Sequence, residues 1–140
     1  MSTIMTDAVH NETAGNHQRK AFATWEVKEN TYRMKLTTAA ICDLEEKFKT
    51  NIMNLIGDEK SIPSLSNMLY VTHAAMKDYH HGIKLDDVKA LYDSYINEGG
   101  SLVSFFIDVF MPIYQVSGFF TESLAGKMDE QRSKAKKEIL

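Results

Sequence analysis

Two consecutive glycines, Gly99-Gly100, constrain this chain most, because they separate two strongly helical patterns. Before them, between residues 86 and 98, apolar residues recur every three or four positions. After them, an apolar and aromatic segment runs to Gly118. Such spacing places apolar side chains on one face of a helix. Glycine readily adopts the left-handed backbone that ends a helix. The sequence therefore predicts two helices joined by a tight glycine turn.

The second of these helices has further signals at both ends and in its middle. Ser101 is a good N-cap, because its hydroxyl can accept hydrogen bonds from the first free amides. Pro112 lacks an amide hydrogen, so we expect it to kink or split the helix. Gly118 is expected to close it.

Two more helical patterns precede this region. The first is predicted to begin at Thr37 or Thr38 and to end at a cap on Gly57, with apolar residues at helical spacing between them. The second is predicted to begin near Pro63, which suits a first helical turn, and to stop at Gly82. The third pattern, already described, is predicted to be capped by Asp86.

Residues 21–36 show a different period. Apolar residues alternate with polar ones in two short runs, on either side of the segment Lys28-Glu29-Asn30-Thr31. Alternation with a period of two is typical of a strand with one buried face. We therefore predict an N-terminal β-hairpin that turns at this segment. The apolar residues of the two runs are Trp25, Val27, Tyr32, Met34 and Leu36.

These elements predict a mainly α, small single-domain bundle of about four to six helices with an N-terminal β-hairpin. A length of 140 residues suits one domain with a real core. Residues 1–20 are polar and aperiodic, so we expect a flexible N-terminal arm. Residues 21–120 form the predicted helical domain. Residues 121–140 are charged with mixed signs, which favours a solvated helix or tail.

Composition excludes several classes of function. The net charge is −3, so no overall basic field attracts nucleic acid. A single cysteine, Cys42, excludes an internal disulfide and suits a reducing cytoplasm. The most apolar stretch, residues 102–120, is broken by Asp108 and Pro112, so we expect no membrane span. The N-terminus lacks the apolar core of a signal peptide.

The sequence offers few residues that could support enzymatic activity, and no cofactor is expected. His73, His80 and Asp78 could serve a small metal-dependent enzyme, although no second cluster completes a zinc shell. Cys42 has no histidine motif around it to generate a thiolate. A nucleic-acid-associated regulator is a further alternative, through the basic residues of the C-terminal segment. These residues alternate with acids and lack stacking aromatics.

The aromatic face of the fourth helix is the strongest candidate for function. A small helical domain has a limited interior, so we expect part of this face to contact another protein through apolar anchors. The candidate partner-binding residues are Phe105, Phe106, Phe110, Tyr114, Phe119 and Phe120.

The order of these features resembles one protein family. The shared pattern spans about residues 22–120 and consists of apolar positions with a few glycines and acids. It comprises Tyr32-Arg33-Met34-Lys35-Leu36-Thr37-Thr38, Ile41-x-x-Leu44-Glu45, Pro63 with Leu69-Tyr70, Leu85-Asp86-Asp87-Val88 with Tyr92-Asp93, Gly99-Gly100 and Gly118-Phe119-Phe120. This pattern resembles the tail assembly chaperones, or tape measure protein chaperones, of long-tailed bacteriophages of Gram-positive bacteria. It looks closest to the lactococcal phage members.

The resemblance implies a non-enzymatic, mainly helical protein that self-associates into spirals or rings. It would coat the tape measure protein in the host cytoplasm until the tail tube assembles, and would be absent from the mature virion. It also implies a possible longer product of a translational frameshift, and possible contact with the tail tube protein. Lys136-Lys137 is compatible with a slippery codon run. No nucleic acid and no membrane would take part.

Overall fold

A computed structural model describes residues 19–57 and 61–139 of the chain. In these residues one antiparallel β-hairpin precedes five helices, which confirms the predicted mainly α class with an N-terminal hairpin. Residues 1–18, most of the predicted arm, lie outside the described residues. The chain divides into two compact units. Residues 21–119 form the first, and the described residues of the second are 19–20 and 120–139.

The hairpin pairs β1 (Ala23–Val27) with β2 (Asn30–Met34). Val27 faces Asn30 across the end of the ladder, so only Lys28 and Glu29 form the loop, whose centre lies one residue before the centre of the predicted turn. Both have positive φ, 53° and 67°. Left-handed backbone at both loop residues is the type I′ geometry, whose twist matches that of paired strands.

Alternation along β1 sets the packing of the hairpin. Ala23, Trp25 and Val27 are buried, and the two residues between them are exposed. A two-stranded hairpin is marginal by itself in water. Here its buried face packs against helices of the same unit, so the helices stabilise it.

The first helix, α1 (Thr38–Phe48), begins as predicted and ends early. The Thr37 hydroxyl accepts a hydrogen bond from the Ala40 amide at 3.1 Å, a normal N-cap. The predicted continuation to Gly57 is wrong, because Lys49 takes the left-handed conformation with φ 55° and ends the helix. The chain resumes as a separate 3-10 helix, Ile52–Ile56. The apolar residues of this short helix keep the helical spacing, which is why the sequence pattern continues across the break.

The second helix, α2 (Leu65–Met76), is shorter than predicted at both ends. Ser64 is its N-cap and accepts a hydrogen bond from the Asn67 amide at 3.2 Å. Pro63 therefore precedes the cap and does not occupy the first helical turn. The helix ends at Met76, and Gly82, with φ 81°, lies in the later turn that leads to the next helix.

The third helix is α3 (Leu85–Asn97). Its N-cap residue is Lys84 and not the predicted Asp86. The Asp87 carboxylate accepts a hydrogen bond from the Lys84 amide at 2.9 Å. This bond satisfies a free amide at the helix start, where negative charge is also favoured by the helix dipole.

The fourth helix, α4, covers residues 102–116 in three stretches. Leu102–Phe105 is α-helical, Phe106–Phe110 is π-helical and Met111–Val116 is α-helical again. The fifth helix, α5 (Glu122–Ile139), belongs to the second unit, so the C-terminal segment is a helix there. In that unit Arg19 and Lys20 form ion pairs with Glu122 and Asp129, at 3.9 and 3.5 Å.

The core of the first unit lies between the hairpin and helices α2, α3 and α4. Tyr114 links α4 to the 3-10 helix, because its hydroxyl donates a hydrogen bond to the Ile52 carbonyl at 2.7 Å. Burial raises the pKa of Tyr114 far above its usual range, so the group stays protonated as a donor. The largest fully buried side chains are Trp25, Tyr114, Phe105, Phe110, Met34, Leu36, Ile52, Met68, Met76, Ile113, Val27 and Val71.

The hairpin loop allows a direct test of local strain. Lys28 and Glu29 both have a left-handed backbone, which costs residues other than glycine, asparagine and aspartate most. We expect the double change Lys28→Asn with Glu29→Gly to raise the free energy of unfolding by about 1 kcal/mol. Chemical denaturation followed by the fluorescence of Trp25 measures it.

A matched control is Thr24→Gly, at an exposed position of β1 with ordinary strand geometry. Glycine at this position is expected to lower the free energy of unfolding, because it increases the backbone entropy of the unfolded chain and relieves no strain in the folded one. Equal effects of the two changes would contradict the assigned loop geometry.

Candidate protein-contact surface

The six aromatic residues predicted for partner contact divide into buried and partly exposed groups. Phe105, Phe110 and Tyr114 are 0% exposed, so they belong to the core. For these three, direct contact with a partner is excluded in this conformation, because the interior of the same unit already covers them. The remaining three, Phe106, Phe119 and Phe120, are partly exposed.

Phe105 lies at the centre of an aromatic cluster that joins three elements. Its ring centroid lies 5.3 Å from Trp25 of β1, and 5.1 and 5.9 Å from Tyr92 and Tyr95 of α3. All three pairs are edge-to-face, the arrangement that aromatic quadrupoles favour. The cluster therefore fixes both the position and the rotation of α4 beneath the hairpin.

The partly exposed aromatic residues extend this packing toward the surface. Phe106 stacks on Phe110 with centroids 6.1 Å apart. Phe119, just after Gly118, packs on Tyr114 at 4.9 Å. Phe120 belongs to the second unit, where its carbonyl accepts a hydrogen bond from Arg19 at 2.5 Å. The double phenylalanine is therefore divided between the two units, and neither ring is fully exposed.

Two of the exposed apolar residues of α4, Val103 and Ile107, lie on the face opposite Phe105, whereas Leu102 lies in the first turn, about 60° around the axis from Phe105. Leu102, Val103 and Ile107 have 38%, 56% and 42% of their surface exposed. At 100° per residue, Val103 and Ile107 each lie about 160° around the helix axis from Phe105. Burial of Phe105 thus turns these two side chains outward. We call Leu102, Val103 and Ile107 the aliphatic surface.

The sequence signal for the aliphatic surface was a helix that is apolar on more than one side. The aromatic residues mark one face of the helix, whereas Val103 precedes the first of them and Ile107 falls between Phe106 and Phe110. A helix that is apolar all round is either buried or offers its second face to a partner. Ile96, near the end of α3, is a further large apolar residue that is 39% exposed.

The Gly99-Gly100 turn positions the start of α4, and glycine is needed at each of the two positions for a different reason. Gly99 has φ 103°, a conformation that other residues rarely adopt. Gly100 lies directly against Tyr95, so an added Cβ would stand 2.5 Å from the ring. Its amide also donates a hydrogen bond to the Tyr95 carbonyl at 2.9 Å.

Ser101 caps α4 as predicted. Its hydroxyl accepts a hydrogen bond from the Ser104 amide at 3.0 Å, and the Ser104 hydroxyl accepts one from the Ser101 amide at 2.9 Å. Ser104 also shares a hydrogen bond of 2.5 Å with the Tyr95 hydroxyl. Burial raises the pKa of Tyr95, the bond to Ser104 opposes this rise, and the charge of Asp108 adds to it. Tyr95 therefore remains protonated and links α3 to the first turn of α4.

The π-helical stretch accommodates Pro112. Proline cannot donate the hydrogen bond that an α-helix needs at its position. The preceding turn widens, and the Met111 amide donates to the Phe106 carbonyl five residues before it. The helix changes its hydrogen bonding instead of breaking, and it continues to Val116. Such π segments inside α-helices recur at functional sites.

Two of the three residues considered for metal-dependent chemistry, His73 and His80, form hydrogen bonds with the backbone. His73 Nε2 lies 2.9 Å from the Ile83 carbonyl, and His80 Nε2 accepts a hydrogen bond from the Arg33 amide at 3.0 Å. Across the described residues, no group of three or more histidine, cysteine or acidic side chains is placed to hold a metal ion. His73, His80 and Asp78 therefore do not assemble a metal site in this geometry.

A groove of about 450 Å³ lies between α1, α2 and the start of α3. Three alanines are among its lining residues, and Asp43, Lys47, Lys77 and Asp78 contribute charges of both signs. The Lys47 ammonium lies 4.4 Å from the centre of the Tyr70 ring, a cation–π contact. The charges of this groove are balanced and Tyr70 is the one phenol or phenyl ring among its described lining residues, so the groove does not indicate a class of ligand. The aliphatic surface, in contrast, indicates an apolar partner.

Comparison with protein families, with curated proteins and with solved structures finds no match to this chain. Among the described residues, none of the helices combines the length and the apolar character that crossing a membrane requires.

The contact between Gly100 and Tyr95 predicts that substitution by alanine destabilises the protein more at Gly100 than at Gly99. Gly100→Ala is expected to lower the free energy of unfolding by about 2–3 kcal/mol, because Tyr95 is held by Ser104 and the aromatic cluster. Gly99→Ala is the matched control: open space surrounds its Cβ, so it bears only backbone strain of about 1 kcal/mol.

A double change separates these effects. Tyr95→Ala should make Gly100→Ala nearly neutral and leave the cost of Gly99→Ala unchanged, as measured by denaturation of all single and double variants. Independence of Gly100→Ala from the residue at position 95 would contradict the steric explanation.

Proposed function

We propose that this protein is a non-enzymatic phage tail assembly chaperone. It self-associates and coats the tape measure protein, which stays soluble until the tail tube assembles. The observation that carries the proposal is the aliphatic surface, where α4 offers apolar side chains to solvent in a mainly helical unit. The resemblance of residues 22–120 to such chaperones supports the same reading.

The physical requirements of such a chaperone are simple. A long helical client with apolar faces would aggregate in water unless another apolar surface covered it. The aliphatic surface offers three side chains within two helical turns, and two of them, Val103 and Ile107, have the four-residue spacing that meets the apolar stripe of a client helix. No reacting group is required, and two of the three candidate catalytic side chains, His73 and His80, form hydrogen bonds with the backbone.

Other parts of the proposal rest on the resemblance alone. They are the host cytoplasm as the place of action, absence from the mature virion, and assembly of copies into a spiral or ring. A frameshifted longer form and contact with the tail tube protein belong to the same set. Neither nucleic acid nor a membrane takes part in the proposed function.

The direct experiment is co-expression with the tape measure protein, the large helical protein that the resemblance implies is encoded downstream. The proposal expects that protein to become soluble and to co-elute with this chain on size exclusion as a stoichiometric complex. An insoluble downstream protein, beside a separate small species of this chain, would count against the chaperone function. Multi-angle light scattering of the chain alone reports its self-association independently.

Changes on the aliphatic surface test whether it is the contact site. Val103→Asp and Ile107→Asp are each expected to weaken binding to the downstream protein by roughly tenfold or more, since a carboxylate would be buried without a partner. The far-ultraviolet circular dichroism and the unfolding midpoint should stay close to those of the unchanged chain. Both side chains already face solvent in the monomer.

Leu124→Asp is the matched control, because Leu124 is equally apolar, is 47% exposed and lies in α5 of the second unit. It should bind like the unchanged chain. If all three variants bind equally well, the aliphatic surface is not the contact site. If Val103→Asp and Ile107→Asp unfold the protein, the assigned exposure of α4 is wrong.

A further inference from the structure

His80 makes an unusual contact with the hairpin. It lies in the turn after α2, and its Nε2 accepts a hydrogen bond from the Arg33 amide at 3.0 Å. Arg33 faces Thr24 in a pair that lies between hydrogen-bonded pairs of the ladder, so its amide points away from β1. A side chain from a helix end therefore satisfies a donor on the outer edge of β2.

The ring of His80 is also held by packing. Its centroid lies 5.2 Å from the ring of Tyr32, the neighbour of Arg33 on β2. The Arg33 guanidinium lies over Phe22, 4.9 Å from the centre of that ring. These contacts make an interface between β2 and the turn after α2, with the histidine at its centre.

Only a neutral imidazole can accept a hydrogen bond at Nε2, because the charged ring is a donor at both nitrogens. The groups that face His80 from β2 are the phenol of Tyr32 and the guanidinium of Arg33. On its own segment, Asp78 and His81 flank it in sequence. Burial, and then the charge of Arg33, lower the pKa of His80 below its usual 6.5.

We propose that His80 is a proton-sensitive latch that closes the outer edge of β2. A proton at Nε2 removes the acceptor for the Arg33 amide and places a positive charge beside the Arg33 guanidinium. The edge of the strand then separates from the turn after α2. Lys35 keeps its own hydrogen bond, from its amide to the Ala75 carbonyl at 2.9 Å, so the opening stays local.

The direction of the pH effect follows from proton binding. The closed state binds fewer protons at His80 than the open state, because its histidine pKa is the lower of the two. The latch is therefore fully closed above about pH 6.5, the usual histidine value, and opens as the pH falls below it. A strand edge with free amides is a template for pairing with another strand. Opening of the latch would therefore expose the outer edge of β2 to such pairing.

Amide hydrogen exchange, resolved by residue with nuclear magnetic resonance, tests the latch. Protection of the Arg33 amide, divided by its intrinsic exchange rate at each pH, should fall by roughly five- to tenfold between pH 7.5 and pH 5. Protection of the Lys35 amide, whose acceptor is a carbonyl, should change much less. The midpoint of the change at Arg33 should match the titration of His80 observed by its ring resonances.

Two variants separate His80 from its neighbour. His80→Gln removes the titrating ring and should abolish the pH dependence at Arg33, while His81→Gln, at an exposed position, should keep it. Equal protection of Arg33 at both pH values in the unchanged chain would overturn the proposal. So would a pH dependence that persists in His80→Gln. Neither result bears on the chaperone function, which has its own binding test.

Discussion

The packing of Phe105 determines the arrangement of the first unit. This side chain brings the edges of Trp25, Tyr92 and Tyr95 together, so it joins the hairpin, α3 and α4 in one cluster. Because a helix is a rigid rod with fixed angular spacing, burial of one position decides which positions face outward. The aliphatic surface of α4 is thus a direct consequence of the core contact on its other side.

Much of the fold could be predicted from the sequence because local signals carry it. Alternation identified the hairpin, and Ser101 forms the cap that its position indicates. The break after α1 could not be predicted, because the apolar spacing continues across it and only the left-handed backbone at Lys49 ends the helix. The face of α4 that stays exposed could not be predicted either. Periodicity shows that α4 has an apolar stripe, but not whether tertiary packing covers Phe105 or Val103.

The hairpin depends on side chains from distant parts of the chain. The Glu98 carboxylate, beyond the end of α3, accepts a hydrogen bond from the Lys28 amide at 2.9 Å, and His80 accepts the one from Arg33. Short sheets leave donors free on both outer edges, and free edges invite pairing with other chains. The carboxylate satisfies a donor in the hairpin loop, and the imidazole satisfies a donor on the outer edge of β2. The proposed dependence on pH concerns only the edge of β2 that His80 closes.

The size of the aliphatic surface bears on how a chaperone of this kind would act. Covering a half-exposed aliphatic side chain contributes about 1 kcal/mol, so three of them contribute about 3 kcal/mol. That is less than the free energy that association costs, which is at least about 4 kcal/mol. In the proposed function, one copy would therefore hold a client weakly by this surface. Many copies along a long client would bind tightly together, since each bound copy raises the local concentration of the next site. A coat built from weak contacts can also be displaced one copy at a time, which is what a tube that grows around the client requires.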